Sequence, residues 1–158
     1  ALYKKATTPE EIIALKDDEL TEMIRPVAHY NRKTKHLKEL CRQIIEEFDG
    51  EVPNTKQELM SLKGVGRKSA DILMNFNFGG ETIAVDTHVH RLLNRLGIVE
   101  TKNSKETADI INDITPKKYK KHAHEWLIQH GGNICKARKP KCQECVVYEF
   151  CDYNEKTI

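Results

Sequence analysis

Four of the chain's five cysteines stand at 135, 142, 145 and 151, with six, two and five residues between successive thiols. No other feature limits the fold so strongly. Four thiolates within seventeen positions can close on one small inorganic centre. A chain that does so takes its local shape from that centre and not from backbone ladders. An odd number of cysteines with no visible secretory leader argues against a disulfide framework and fits a reducing, cytoplasmic setting. A structural zinc ion ordinarily joins two short knuckles of the Cys-x2-4-Cys kind, and here only "CQEC" (142–145) qualifies. The wider loops suit a bulkier iron–sulfur cubane, which also takes four cysteines. Spacing alone favours the cluster and leaves zinc open. The ligands are Cys135, Cys142, Cys145 and Cys151 in either case.

The rest of the chain reads as helix. "TTPEEIIAL" offers Thr8 as N-cap, Pro9 at the first helical position, and Glu10 and Glu11 in the first turn. A short helix is expected from Asp18 to Arg25, stopping before Pro26. Leu37, Leu40, Cys41, Ile44, Ile45 and Phe48 recur at helical spacing across 31–48. Cys41 sits on that apolar stripe and reads as a core thiol. Thr55 caps "KQELMSL", and further helices are expected over 67–76, 86–97, 103–116 and 118–132, with Asp86 and Asn103 as caps. Trp126 is expected in the core. "FGGE" (78–81) is a plausible lobe boundary. The one β-like patch, "ETIAV" (81–85), is too short to build a sheet, so the fold is all-α. His88, His90, His122, His124 and His130 read as surface or cap residues, since residues two apart on a helix face different ways.

"LKGVGRKSADIL" (62–73) carries a second chemical signal. A tight Gly-Val-Gly turn can bring backbone N–H groups up to a phosphate at the start of the next helix, where the dipole favours an anion. Gly64, Val65, Gly66 and Arg67 are therefore candidate DNA contacts of the sequence-independent kind. Lys68 falls in the first turn of that helix. The helix N-terminus and the neighbouring Arg67 both disfavour its charge, which pushes towards a neutral, nucleophilic amine. Net charge is only +2, yet cations gather in "KKYKKHAH" (117–124) and "KARKPK" (136–141). Lys136, Arg138, Lys139 and Lys141 lie between two cysteines and become candidate phosphate contacts once the loop is anchored. No apolar run approaches the roughly 20 residues of a membrane-spanning helix.

"LKGVGRKSA", "TIAVDTHVHRLLNRLG" and the spaced cysteines, in this order, closely resemble the endonuclease III family of DNA glycosylases. These are helix-hairpin-helix enzymes of base-excision repair. The resemblance runs from Leu2 almost to the end. It implies two helical lobes, 1–80 with the hairpin and 81–158 with the cysteines, and a DNA-binding cleft between them. It implies a 4Fe–4S cluster on the four cysteines. It also implies Lys68 as the nucleophile that attacks C1′ of a damaged nucleotide, and Asp86 as its partner carboxylate. A lysine at this place predicts a covalent imine and β-elimination, where monofunctional relatives use water. The expected partner is double-stranded DNA with damaged bases or abasic sites, bound by a monomer in the bacterial nucleoid. The expected substrates are oxidised pyrimidines such as thymine glycol. The alternatives are a mismatch or alkylated-base glycosylase of the same superfamily, and a non-catalytic DNA-binding iron–sulfur module.

A glycosylase must fill the gap left by a flipped base. The resemblance puts His29, before "YN" of "VAHYN" (27–31), at a wedge position where relatives often carry leucine. A companion glutamine belongs to an N-terminal helix with no counterpart in this chain. Relatives usually carry further helices ahead of Leu2, so an exposed apolar face is expected.

Overall fold

The computed structural model describes residues 1–157 and is helical throughout, with no strand among the described residues. The described residues form eight α-helices: α1 (Pro9–Ala14), α2 (Asp17–Ile24), α3 (Tyr30–Glu47), α4 (Lys56–Ser61), α5 (Arg67–Asn77), α6 (Thr87–Arg95), α7 (Ser104–Ile114) and α8 (Lys117–Asn133). Their starts follow the capping chemistry. The Thr8 hydroxyl accepts from the Glu11 N–H while the Glu11 carboxylate accepts from the Thr8 N–H, a closed capping box. Thr55, Asp86 and Asn103 cap α4, α6 and α7 by accepting first-turn N–H groups through their side-chain oxygens, without the return bond of the box.

The chain divides into two compact units, Ala1–Gly66 and Arg67–Ile158. In the first, α1 and α2 pack on α3, and Leu2, Ala6, Ile12, Leu15, Leu20 and Cys41 form the core. Burial pushes the Cys41 thiol above its ordinary value, as suits an inert core group. In the second, α6 packs on α7 and α8. The core there is Ile83, Val85, Val89, Leu93, Val99, Ala108, Ile111 and Ala123. Each fully buried Val or Leu contributes about 1.5–3 kcal/mol, so the Val89, Leu92 and Leu93 stripe suffices to fix the rotation of α6.

The division falls ahead of α5, whereas glycines 79 and 80 suggest a boundary near residue 80. Side-chain bonds across the glycine break give the reason. Thr82 Oγ1 donates to the Asp71 carbonyl at 2.6 Å, and Asn75 Nδ2 donates to the Thr82 carbonyl at 2.6 Å. These bonds tie α5 to the extended segment on the far side of the glycines. Trp126 departs from expectation outright, being 54% exposed, with its ring against His122 at 5.7 Å between centroids. The α8 positions that do enter the core are Ala123, with Leu127 and Ile128 against it.

Candidate active site and cysteine centre

The hairpin is a tight turn of defined geometry. The Val65 N–H donates to the Leu62 carbonyl at 3.1 Å, and Gly64 has φ +82°. Positive φ at the third position is the type II pattern that selects glycine. A Cβ at Gly64 would lie 3.1 Å from His36 Nδ1, so the position is also closed sterically. The Lys63 N–H donates to Gln43 Oε1 of α3 at 2.7 Å, which fastens the turn to the first unit. Gly66 precedes α5 directly.

Arg67 opens α5 but is not a free cation. Its Nε lies 3.2 Å from the fully buried Asp71 carboxylate, and its Nη1 bonds Asp109 of α7. Burial alone would lower its pKa, yet the two carboxylates raise it overall. A buried carboxylate without such a partner would be costly, so Arg67 holds α5 on α7.

Lys68, one residue on, meets Asp86. Its Nζ donates to Asp86 Oδ2 at 3.1 Å, with the lysine side chain 41% exposed and the aspartate 14%. Asp86 Oδ1 accepts from the N–H groups of His88 and Val89 at 2.9 and 3.0 Å. One carboxylate therefore caps α6 with one oxygen and holds the amine with the other. Burial pushes this carboxyl up, but the Val89 N–H, the Lys68 ammonium and the His88 N–H outweigh it and hold the group below its ordinary value.

Three side chains not foreseen as site residues place Asp86. The segment 81–85 is extended, and Ile83, Ala84 and Val85 are buried without a neighbouring strand. Its backbone groups are bonded by side chains instead. Asn112 accepts from the Ile83 N–H at 2.7 Å and donates to the Ile83 carbonyl at 2.9 Å. His124 donates through Nδ1 to the Ala84 carbonyl at 2.8 Å. Asn75 holds the Thr82 carbonyl. An Asn on α5 or α7, or a His on α8, carries no local pattern that marks it as a partner of this segment. Only the short β-like run, which needs partners for its backbone, signals that they exist.

Cys135, Cys142, Cys145 and Cys151 line one cavity, backed by Leu92, Leu96, Ile134 and Pro140. The cavity holds about 360 Å³ of unfilled space, its open mouth included. The thiols are unpaired as disulfides. Among the described residues, no three His, Cys, Asp or Glu groups gather tightly enough to hold one ion. Four thiols lining one cavity are a donor set that an iron–sulfur cubane, which takes four cysteines, fits. Two 3-10 turns, Cys142–Glu144 and Tyr148–Phe150, shape the loop. His130 Nε2 lies 3.5 Å from Cys145 Sγ, and burial lowers its pKa.

Helix α6 runs from Asp86 to this loop. Arg91 donates to the Cys135 carbonyl at 2.8 and 3.1 Å and to the Gly131 carbonyl at 2.6 Å. Gly131 lets α8 approach: a Cβ there would lie 2.9 Å from the His88 carbonyl oxygen. Lys136, Arg138 and Lys139 of the basic loop are exposed, and Lys141 pairs with Glu144 at 3.0 Å. Lys139 has φ +51°. In the first unit, exposed His29 precedes α3 with φ 59°, ψ 34°, a left-handed conformation uncommon for a non-glycine residue.

The sequence model of the HhH-GPD superfamily of base excision DNA repair proteins matches residues 1–121, and that of the iron-sulfur binding domain of endonuclease III matches 135–151. The chain is 40% identical to endonuclease III of Rickettsia conorii over 97% of its own length and 73% of the relative's. It is 38% identical to endonuclease III of Escherichia coli over 98% of its length and 74% of the relative's. Among solved structures, a trapped endonuclease III–DNA covalent intermediate superposes with a TM-score of 0.88 at 37% identity, over 94% of this chain and 70% of that one. A thermostable thymine-DNA glycosylase gives a TM-score of 0.86 at 27% identity, over 98% and 73%.

Proposed function

The chain belongs to the endonuclease III family within the HhH-GPD superfamily of base excision DNA repair proteins, and from that premise we propose that it is a DNA glycosylase and abasic-site lyase acting through Lys68. The observation that carries this reading is the Lys68–Asp86 contact at 3.1 Å. A lysine amine beside a carboxylate has a route to lose the proton it must shed before attack.

The chemistry proceeds in steps that the residues support. The Lys68 amine adds to C1′ as the N-glycosidic bond breaks and the base departs with its electron pair and a proton. Asp86 stabilises the positive character that develops on the sugar. The ring opens to an imine linking Lys68 to C1′. Loss of a C2′ proton then expels the 3′ phosphate by β-elimination, and water returns the lysine. His29 is the proposed wedge for the gap in the duplex. Its exposed, left-handed position at the entry to α3 supports this role. The hairpin at Gly64, Val65 and Gly66 is proposed to hold a phosphate through N–H groups, and Lys136, Arg138, Lys139 and Lys141 to add charge contacts. The four cysteines fit the 4Fe–4S cluster of the family, which when bound gives the basic loop a rigid frame.

Oxidised pyrimidines are the proposed substrates, processed by a monomer on bacterial DNA. The bacterial endonuclease III relatives support the bacterial setting. The likeness to a thymine-DNA glycosylase favours a mismatch reading, and Lys68 weighs against it. Borohydride trapping on an abasic duplex tests the core of the proposal. The protein should give a covalent adduct that Lys68→Gln lacks; no adduct from the unaltered protein would leave only a DNA-binding module. Product analysis on thymine glycol, mismatch and alkylated duplexes separates the substrates.

A further inference from the structure

Arg95 makes a set of contacts that the repair chemistry does not require. It lies on the last turn of α6, one turn beyond Arg91. Its Nη1 donates to Cys135 Sγ at 3.6 Å and to the Lys136 carbonyl at 2.7 Å. Its Nη2 donates to the Ala137 carbonyl and to the Tyr153 hydroxyl, each at 3.2 Å. The guanidinium also stacks on the Tyr153 ring, with Cζ 4.2 Å from the centroid. Arg95 returns a contact at the other end of the loop, where Cys151 Sγ lies 3.4 Å from its carbonyl. Arg91, by contrast, reaches only carbonyl oxygens of this loop.

We propose that Arg95 is a positioning residue for the iron–sulfur cluster, setting its reduction potential through the Cys135 sulfur. The inference rests on the reading that Cys135 is a cluster ligand. A cationic donor to a ligand thiolate favours the more negative, reduced form of the cluster, so it raises the potential. The fixed fork of a guanidinium can bond the sulfur and two carbonyls at once, and an ammonium cannot. Tyr153 covers the guanidinium, which limits the water that would otherwise weaken the contact.

The test is the midpoint potential of the loaded protein, read by voltammetry and by a titration followed by electron paramagnetic resonance. Arg95→Met should shift the potential negative and speed loss of visible absorbance to a chelator. Arg95→Lys should fall between it and the unaltered protein. Arg91→Met slackens the loop without touching a sulfur, and its potential should move less. Equal shifts in the two methionine variants would overturn the proposal, as would an unmoved potential in Arg95→Met. Should that variant fail to load, the unaltered protein decides with guanidino-15N arginine. A 15N coupling to the paramagnetic cluster, lost in Arg95→Lys, is expected, and its absence overturns the assignment. A colourless, zinc-bound unaltered protein would overturn the cluster ligation itself.

Discussion

The Lys68–Asp86 pair and the cysteine loop belong to one compact unit, yet they are built by opposite means. The pair sits at two helix starts. Each side chain is placed by regular backbone, and Asp86 is fixed by the N–H groups it caps. The loop from 135 to 151 has only two 3-10 turns of regular structure. Its backbone carbonyls are taken up by arginines from α6, and its thiols surround a cavity. The first region can form before any ligand arrives. The second is completed by its cofactor, whose binding free energy is also folding free energy. Damage should therefore spread differently from the two places.

Removing a cluster ligand is the harshest way to probe that difference. Cys142→Ala should abolish the visible absorbance and open 135–151 to protease, while circular dichroism retains most of the helix. Wholesale loss of helical signal would mean that the loop is needed for the unit itself. Lys68→Gln should do the reverse, leaving the absorbance intact.

Asp86 lets capping be separated from chemistry. Asparagine is as good an N-cap as aspartate, but it carries no charge. Asp86→Asn should keep thermal stability within a few tenths of a kcal/mol while slowing single-turnover base release by roughly 10²–10⁴-fold. Asp86→Ala should lose the same activity and a further 0.5–2 kcal/mol, approximately, of stability. Equal stability of the two variants would show that the cap bonds contribute little.

The hairpin is a smaller effect of the preformed kind. Gly64→Ala forces a side chain into positive φ and against His36. It should cost about 1 kcal/mol or more and weaken binding to duplexes of every sequence alike. Sequence-dependent weakening would contradict a phosphate role. Within the basic loop, Lys139→Ala should lower the salt dependence of binding by about 0.9 in slope if it meets one phosphate.

Legibility in the sequence splits along the same divide. The helix starts at Pro9, Lys56, Thr87 and Ser104 could be read because a cap is a contact within four residues, written in local sequence. The cysteine spacing was legible too, since ligand geometry is written in short intervals. Hidden were contacts whose partners lie far apart in the chain. Nothing near Asn112 marks it as a bonding partner of Ile83, and nothing near Arg67 says that Asp71 and Asp109 occupy it. Trp126 is exposed because hydrophobic character does not by itself dictate burial. Large aromatics often keep one face in solvent, and the core spacing on α8 is met by Ala123, Leu127 and Ile128. Two glycines mark flexible backbone near residue 80, but a local sequence signal of that kind says nothing of the side-chain bonds from Asn75 and Thr82 that cross it.

The gentlest probe of the preformed region is acid. The folded-state pKa of Asp86 lies below its ordinary value of 3.8. The unfolded chain therefore takes up this proton first as pH falls. The ion pair and cap contribute fully above the ordinary value, and the contribution disappears as pH drops through the lowered folded one. Asp86→Asn has no such proton to bind. Its stability deficit relative to the unaltered protein should then be full and flat above the ordinary carboxyl value and should shrink as pH falls below it. Urea titrations at stepped pH measure the gap. Chelator-stripped samples of both proteins remove the acid sensitivity of the cluster from the comparison. A gap that stays constant across the range would show that the carboxylate's contacts with Lys68, His88 and Val89 do not favour its charged form, and the preformed character of this site would go with it.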